Sequence, residues 1–270
     1  MTDALPGAAP DDAPDSLPDG DLTLLGRLRV ASNATFLGEI DGVRVVYKPV
    51  RGERPLWDFP DGTLAQREVA AFAVSEATGW GIVPRTWLRD GPHGPGMVQL
   101  WQEPDPAQDP VDVVPSADAG RPGWRVVLEG TDADDAPVAV VHEDTAALRR
   151  MAVLDVVLNN ADRKGGHVLP MPDGHRFGVD HGVTFHVEAK LRTVLWGWLG
   201  EPLTDDEAAG VERVRAGLAS AGADGLGERL TGLLAPDERA ALAVRCDRLL
   251  RAGRFPGPEG DMPAVPWPLF

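Results

Sequence analysis

Between Leu22 and Trp101 the sequence runs through three strand-like segments, one helix and two further strand-like segments, and that order limits the fold more than any other feature. Leu24–Val30 and Ala34–Ile40 read as strands joined at Ala31-Ser32-Asn33. Asp41-Gly42 is a hairpin turn into a third strand, Val43–Lys48. After a Pro-, Arg- and Trp-containing loop, Thr63 is positioned to cap a helix over Leu64–Thr78, with Val69, Phe72, Ala73 and Glu76 at helical spacing and Gly79 as its stop. Val83–Arg89 and Gly96–Trp101 then form two more strands around a Gly/Pro turn. The expectation is an antiparallel sheet carrying one helix.

The remainder is read the same way. Residues 104–123 are rich in Pro, Asp and Ala and read as a linker, followed by a small hairpin from Trp124–Leu128 and Val138–Val141. Asp144-Thr145 can cap a helix whose apolar residues Leu148, Met151, Ala152, Leu154, Val157 and Leu158 make a broad buried face. That helix leads into Asn159-Asn160-Ala161-Asp162. A short hairpin, Gly166–Leu169 with Arg176–Val179, precedes the loop Asp180-His181-Gly182, and helices follow over about 205–221 and 236–251. The expected division is a disordered acidic and Pro-rich tail (1–20), an N-terminal lobe (21–103), a linker with a variable hairpin (104–145), a mainly helical C-terminal lobe (146–255) and a Pro-rich tail (256–270), loose or wrapped on the surface.

Composition narrows the partners. The 270 residues carry a formal charge of -16, which argues against a nucleic-acid backbone or an anionic membrane surface as the main partner. A single cysteine, Cys246, excludes an intrachain disulfide framework and a thiolate zinc site. No signal-like segment opens the chain and no apolar run approaches about 20 residues, so a cytoplasmic protein without stable membrane insertion is expected. Basic residues are almost all Arg. The only lysines are Lys48, Lys164 and Lys190, and the only asparagines Asn33, Asn159 and Asn160. Those survivors are candidates for chemistry that Arg or Asp cannot supply.

Lys48 at a strand end, Asp162 after a helix and Asp180 after a hairpin form an ordered set that phosphoryl transfer requires: a cation for nucleotide phosphates, a carboxylate for the attacking hydroxyl and a carboxylate for Mg2+. Val46-Tyr47-Lys48-Pro49 resembles the strand-end lysine motif of type II phosphatidylinositol 4-kinases. Leu154–Arg163 resembles the helix entering their Asp-Arg catalytic loop, Val179-Asp180-His181-Gly182 their metal-binding Asp followed by Gly, and Gly79–Thr86 the segment before their hinge. From Leu22 to about Arg251 the chain further resembles a bacterial family described as related to phosphatidylinositol 3- and 4-kinases.

The resemblance implies an α+β, two-lobed protein-kinase-like fold with ATP and Mg2+, or Mn2+, between the lobes, while the charge of -16, against the family's lipid substrate, favours a protein or small-molecule phosphoryl acceptor. It assigns Lys48 to the ATP phosphates, paired with Glu68 or, second, Glu76. Ser32, Asn33, Ala34 and Thr35 would form the loop over the phosphates. Gln99, Leu100 and Trp101, running to Gln102, would be the hinge against adenine. Asp162 would be the catalytic carboxylate, Lys164 a stabiliser of the transferring group, and Asp180 the principal metal ligand. The sequence departs from the family at His167, which stands where an Asn helps bind metal. Imidazole is a softer choice for Mg2+, so a catalytically degenerate nucleotide-binding protein is the alternative. His167, His175, His181 and His186 within 20 residues also raise a metal-dependent hydrolase, although no H-E-x-x-H pair is present. Trp196 and Trp198 are expected in the core.

Overall fold

Asp41 and Gly42 adopt positive φ, 51° and 81°, the twist that a two-residue hairpin turn demands, and Ile40 pairs with Val43 across them. The strands so joined are β2 (Phe36–Ile40) and β3 (Val43–Pro49). With β1 (Thr23–Arg27), β4 (Thr86–Gly91) and β5 (Gly94–Leu100) they form a five-stranded antiparallel sheet in the order β1-β2-β3-β5-β4. The computed structural model describes residues 17–28, 34–53, 56, 59, 63–220, 222, 225–259 and 263–270. Ser32 and Asn33 of the expected phosphate loop lie outside the described residues, as does most of the N-terminal tail. Gly20 is tied to the sheet, its amide donating to Asp41 Oδ2 at 2.8 Å and its carbonyl accepting from Arg89 Nη2 at 2.9 Å.

Successive side chains of a strand face opposite sides. Val45 and Tyr47 of β3 therefore enter a small core with Leu22, Ile40, Val98 and Leu100, while Lys48 points to the other side, toward the helix α1 (Leu64–Thr78). That helix has the bounds its periodicity predicts, but Thr63 does not cap it. Its first amides, of Leu64 and Ala65, donate to the Glu53 carboxylate at 3.3 and 2.8 Å, and Thr63 Oγ1 accepts from Arg67 Nε instead. The strand expected from Val83 starts at Thr86: Ser75 Oγ accepts the Val83 amide at 3.0 Å, and Pro84 has no N–H to give a ladder.

A larger core gathers the helices. Ala70 and Val74 of α1 pack with Leu148, Met151, Leu154 and Leu158 of α2 (Ala146–Leu158), Val211 and Val214 of α3 (Asp205–Ala219), Leu226 of the short α4 (Leu226–Arg229), and Leu242 and Leu249 of α5 (Pro236–Ala252). Each of the Val, Leu and Met side chains contributes about 1.5–3 kcal/mol on burial. Because α1 belongs to this core while Glu68 on it meets the sheet, one helix ties the strands to the helical half. Thr145 caps α2 as expected, accepting the Leu148 amide at 3.3 Å.

One stretch differs from its expected form, and another takes one of the two forms expected of it. Residues 104–123 are not merely a linker: Val111–Pro115 is a strand, β6, which pairs with β8 (Pro137–Glu143), itself paired with β7 (Trp124–Thr131), in a three-stranded sheet. Its Pro and Asp neighbours mask it, but Val111 and Val114 are buried. The tail after residue 256 returns to the molecule, with Ala264 O accepting from Thr193 N and Trp196 Nε1, and Leu269 O from Gly165 N at 2.8 Å. The hairpin β9 (Val168–Pro170) and β10 (Arg176–Gly178) lies where it was read. Trp198 is fully buried as expected, 4.2 Å from the His142 ring centre and donating to Asp144 Oδ1 at 2.7 Å. No helix among the described residues is long and apolar enough to cross a membrane.

Candidate active site

Lys48 Nζ lies 2.6 Å from Glu68 Oε1 and 2.6 Å from Asp180 Oδ1, joining β3, α1 and the loop after β10. Glu68 is buried and Glu76, the second choice for this pairing, is exposed. Glu68 Oε2 also accepts the His181 amide at 3.0 Å, so one carboxylate fixes both the lysine and the backbone beside Asp180. Burial alone would weaken the Lys48 charge, but the carboxylates of Asp180 and Glu68 more than offset it and raise its pKa. The same lysine holds the Asp180 carboxyl well below the usual carboxylate range. Asp180 has φ of 60°, a left-handed conformation that costs a non-glycine residue about 1–2 kcal/mol and recurs where structure holds a side chain for use. Half of its side-chain surface is open to the cleft.

Asp162 is set by its neighbours. The Asp155 carboxylate at the end of α2 accepts from Arg163 Nε and Nη2, both at 2.9 Å, and from Asn160 Nδ2 at 2.9 Å. Asn160 Oδ1 in turn accepts the Asp162 amide at 3.0 Å. Arg163, fully buried, also donates to the carbonyls of His167 and Val179 and to His181 Nε2 at 2.7 Å. One guanidinium thus fastens the loop bearing Asp162 to the loop bearing Asp180. The Asp162 carboxylate faces Lys164 Nζ at 3.2 Å. Burial raises its pKa, with Lys164 opposing that shift, which leaves it a better proton acceptor than an exposed aspartate.

His167 completes the group. Its Nδ1 lies 3.0 Å from the Asp162 carbonyl and its Nε2 3.4 Å from Asp180 Oδ2. Burial depresses its pKa to about 4, so it is neutral at pH 7. No set of three or more His, Cys, Asp and Glu side chains among the described residues is gathered to hold a metal ion. Asp180 and His167 form a two-donor arrangement whose chemistry suits a divalent cation, provided ligand oxygens and water fill the remaining positions. The other clustered histidines are engaged elsewhere: His175 bonds Gly81 O, His181 bonds Arg163, and His186 Nδ1 accepts the Glu188 amide.

These groups line a cleft of about 750 Å³ that also takes in Thr35, Gln99, Leu100 and Trp101. The expected hinge is only partly as read. Gln99 is buried with Nε2 donating to Thr86 Oγ1 at 2.8 Å. The amides of Leu100 and Trp101 donate to Arg85 O and Arg44 O, so these N–H groups are engaged with neighbouring backbone. Asn159, singled out by its rarity, ends α2 at φ 55°. It holds backbone, donating to His186 O and Glu188 O and accepting the Lys190 amide.

Sequence reasoning missed three features of the site. Arg163 was legible only as part of a motif, and its rigid fork is what binds two loops. Gly165 escaped notice although a Cβ there would stand 2.3 Å from the Phe270 ring. Phe270 itself, on a tail expected to be loose or wrapped on the surface, lines the cleft. A Gly-Gly pair directly after the Asp162 loop was the available signal for close backbone approach.

No protein-family model matches the chain. Among solved structures, that of the Helicobacter pylori proinflammatory kinase CtkA covers 87% of this chain and 93% of its own with TM-score 0.46 and 11% identity, a likeness too distant to carry an argument. Among curated proteins, protein Rv2133c of Mycobacterium tuberculosis (strain ATCC 25618 / H37Rv) is 51% identical over 273 residues, covering 96% of this chain and 96% of that protein. The chain belongs to the family of this mycobacterial protein.

Proposed function

We propose that the protein is a kinase-like phosphotransferase with ATP as donor. The observation that carries this reading is Lys48, bridging Glu68 and Asp180 at 2.6 Å each in the cleft that Asp162 and Lys164 also line. Lys48, steered by Glu68, binds phosphate oxygens. Asp162 orients an acceptor hydroxyl and takes its proton as the new O–P bond forms, while the bond from the terminal phosphorus to the bridging oxygen breaks and ADP leaves with the electron pair. Lys164 offsets charge on the transferring group. Asp180 and His167 would hold a divalent cation, which neutralises phosphate charge when bound. The finer placement, in the phosphatidylinositol 3-/4-kinase-like class, rests on the motif around Lys48, Asp162 and Asp180. A protein or small-molecule acceptor in the cytoplasm fits a chain at -16 better than an anionic lipid surface.

Incubation with labelled ATP and Mg2+ or Mn2+ tests this. Phosphoryl transfer or ATP turnover is expected, falling at least about 100-fold in Asp162→Ala. No turnover, no autophosphorylation and no nucleotide-induced thermal shift overturn it. The second reading, a nucleotide-binding protein without transfer, is favoured by His167 standing where an amide is expected. It predicts ATP binding that Lys48→Met abolishes, with no turnover in the unmodified protein.

A further inference from the structure

His167 is held in one tautomer by a residue of the reaction loop itself. Its Nδ1 lies 3.0 Å from the carbonyl oxygen of Asp162. A carbonyl can only accept, so Nδ1 carries the proton in this contact. The ring's other nitrogen, Nε2, lies 3.4 Å from Asp180 Oδ2, beyond the normal N–H···O range of about 2.7–3.2 Å. Asp180 Oδ1 is already committed to Lys48 at 2.6 Å, so Oδ2 is the oxygen left over, and it faces Nε2 across that gap.

A nitrogen and an oxygen 3.4 Å apart can share one cation. With metal–ligand bonds of about 2.1 Å they subtend roughly 105–110° at the ion, an ordinary angle for a divalent metal. The donation from Nδ1 to a backbone carbonyl is the outer-sphere bond that metal-binding histidines use to fix ring orientation and raise the basicity of the other nitrogen. Mg2+ takes oxygen ligands and dehydrates reluctantly. First-row transition ions accept imidazole nitrogen.

We propose that Asp180 Oδ2 and His167 Nε2 together select a first-row transition ion over Mg2+ as the nucleotide's divalent partner, with His167 a direct ligand. The proposal rests on the nucleotide reading above. It assigns the metal by donor chemistry: a carboxylate oxygen and an imidazole nitrogen from the protein, with phosphate oxygens and water completing the shell.

Mn2+ and ADP are the probes, with the full chain labelled at histidine with 15N. Of the six histidines, His167 is the one that lines the cleft. Pulsed EPR of the Mn2+·ADP complex should show directly bound nitrogen that changes from a 14N to a 15N pattern on labelling and vanishes in His167→Asn. Calorimetry should give ADP binding about 10-fold tighter with Mn2+ than with Mg2+ and near-equal binding in His167→Asn. Should that variant fail to fold, the labelling contrast in the unmodified chain decides alone. Mn2+·ADP bound with no nitrogen coupling, or with coupling that persists in His167→Asn, overturns the metal assignment and leaves the nucleotide reading standing. No ADP binding with either metal overturns the nucleotide reading and the metal assignment with it.

Discussion

A fully buried arginine paired with a fully buried aspartate holds the candidate site together. Arg163 and Asp155 each have no exposed side-chain surface, and removing one charge leaves the other desolvated and unpaired, at about 3–5 kcal/mol. Arg163→Met should therefore lower the unfolding free energy by that amount in denaturant titrations, and Arg163→Met with Asp155→Leu should recover part of it. His142 supplies a second prediction. Gly197 N donates to its Nε2 at 3.0 Å and its Nδ1 lies 2.8 Å from Glu143 O, so the neutral ring is satisfied at both ends and protonation breaks the first bond. Burial depresses its pKa to about 4 from 6.5. The unfolded chain then binds more protons between those values, so stability is full above pH 6.5 and declines as pH falls toward 4, by up to about 3 kcal/mol from this residue. Thermal unfolding at pH 7 and pH 5 should show the loss, with a smaller drop in His142→Gln.

Elements are stopped and started here by residues outside the pattern that defines them. Helix α2 ends where Asn159 turns left-handed and its amide side chain holds the carbonyls of His186 and Glu188. Asn159→Gly keeps the backbone conformation and loses those bonds, while Asn159→Ala loses both. Chemical unfolding should rank them, the alanine variant costing about 2–4 kcal/mol and the glycine variant less. Helix α1 starts on Glu53, eleven residues before its first turn, so Glu53→Ala should cost about 1 kcal/mol and Thr63→Ala less. The bounds of α1 were legible from helical spacing and Gly79, although of Val69, Phe72, Ala73 and Glu76 only Ala73 is buried and the core side runs through Ala70, Ala71 and Val74. Its cap was not, since a carboxylate arriving from an upstream loop leaves no mark at helical spacing. Strand β6 was hidden for the opposite reason: its Pro and Asp neighbours obey turn preferences, and burial of Val111 and Val114 against β8 overrode them.

Across the whole molecule the tail closes on the site it follows by a hundred residues. Phe270 packs on Gly165, and Leu269 accepts the Gly165 amide. Gly165→Val should push the segment 263–270 from the cleft, raising its hydrogen exchange and protease sensitivity while the core helices keep their protection; unchanged exchange there would show that the contact does not hold the tail. Local pattern alone determined the hairpins around Asp41-Gly42 and β9–β10, the helices α1, α2, α3 and α5, and the order Lys48, Asp162, Asp180, because alternation, helical period and turn residues act over a few positions. Tertiary structure alone decided that Glu68 rather than Glu76 meets Lys48, that Arg163 clamps two loops, that His167 turns Nε2 toward Asp180 and that Phe270 reaches the cleft. Those choices depend on contacts such as Lys48 to Asp180, 132 residues apart, whose geometry is set by how helices and sheet pack once loop-closure entropy has been overcome, and no short stretch of sequence carries that information.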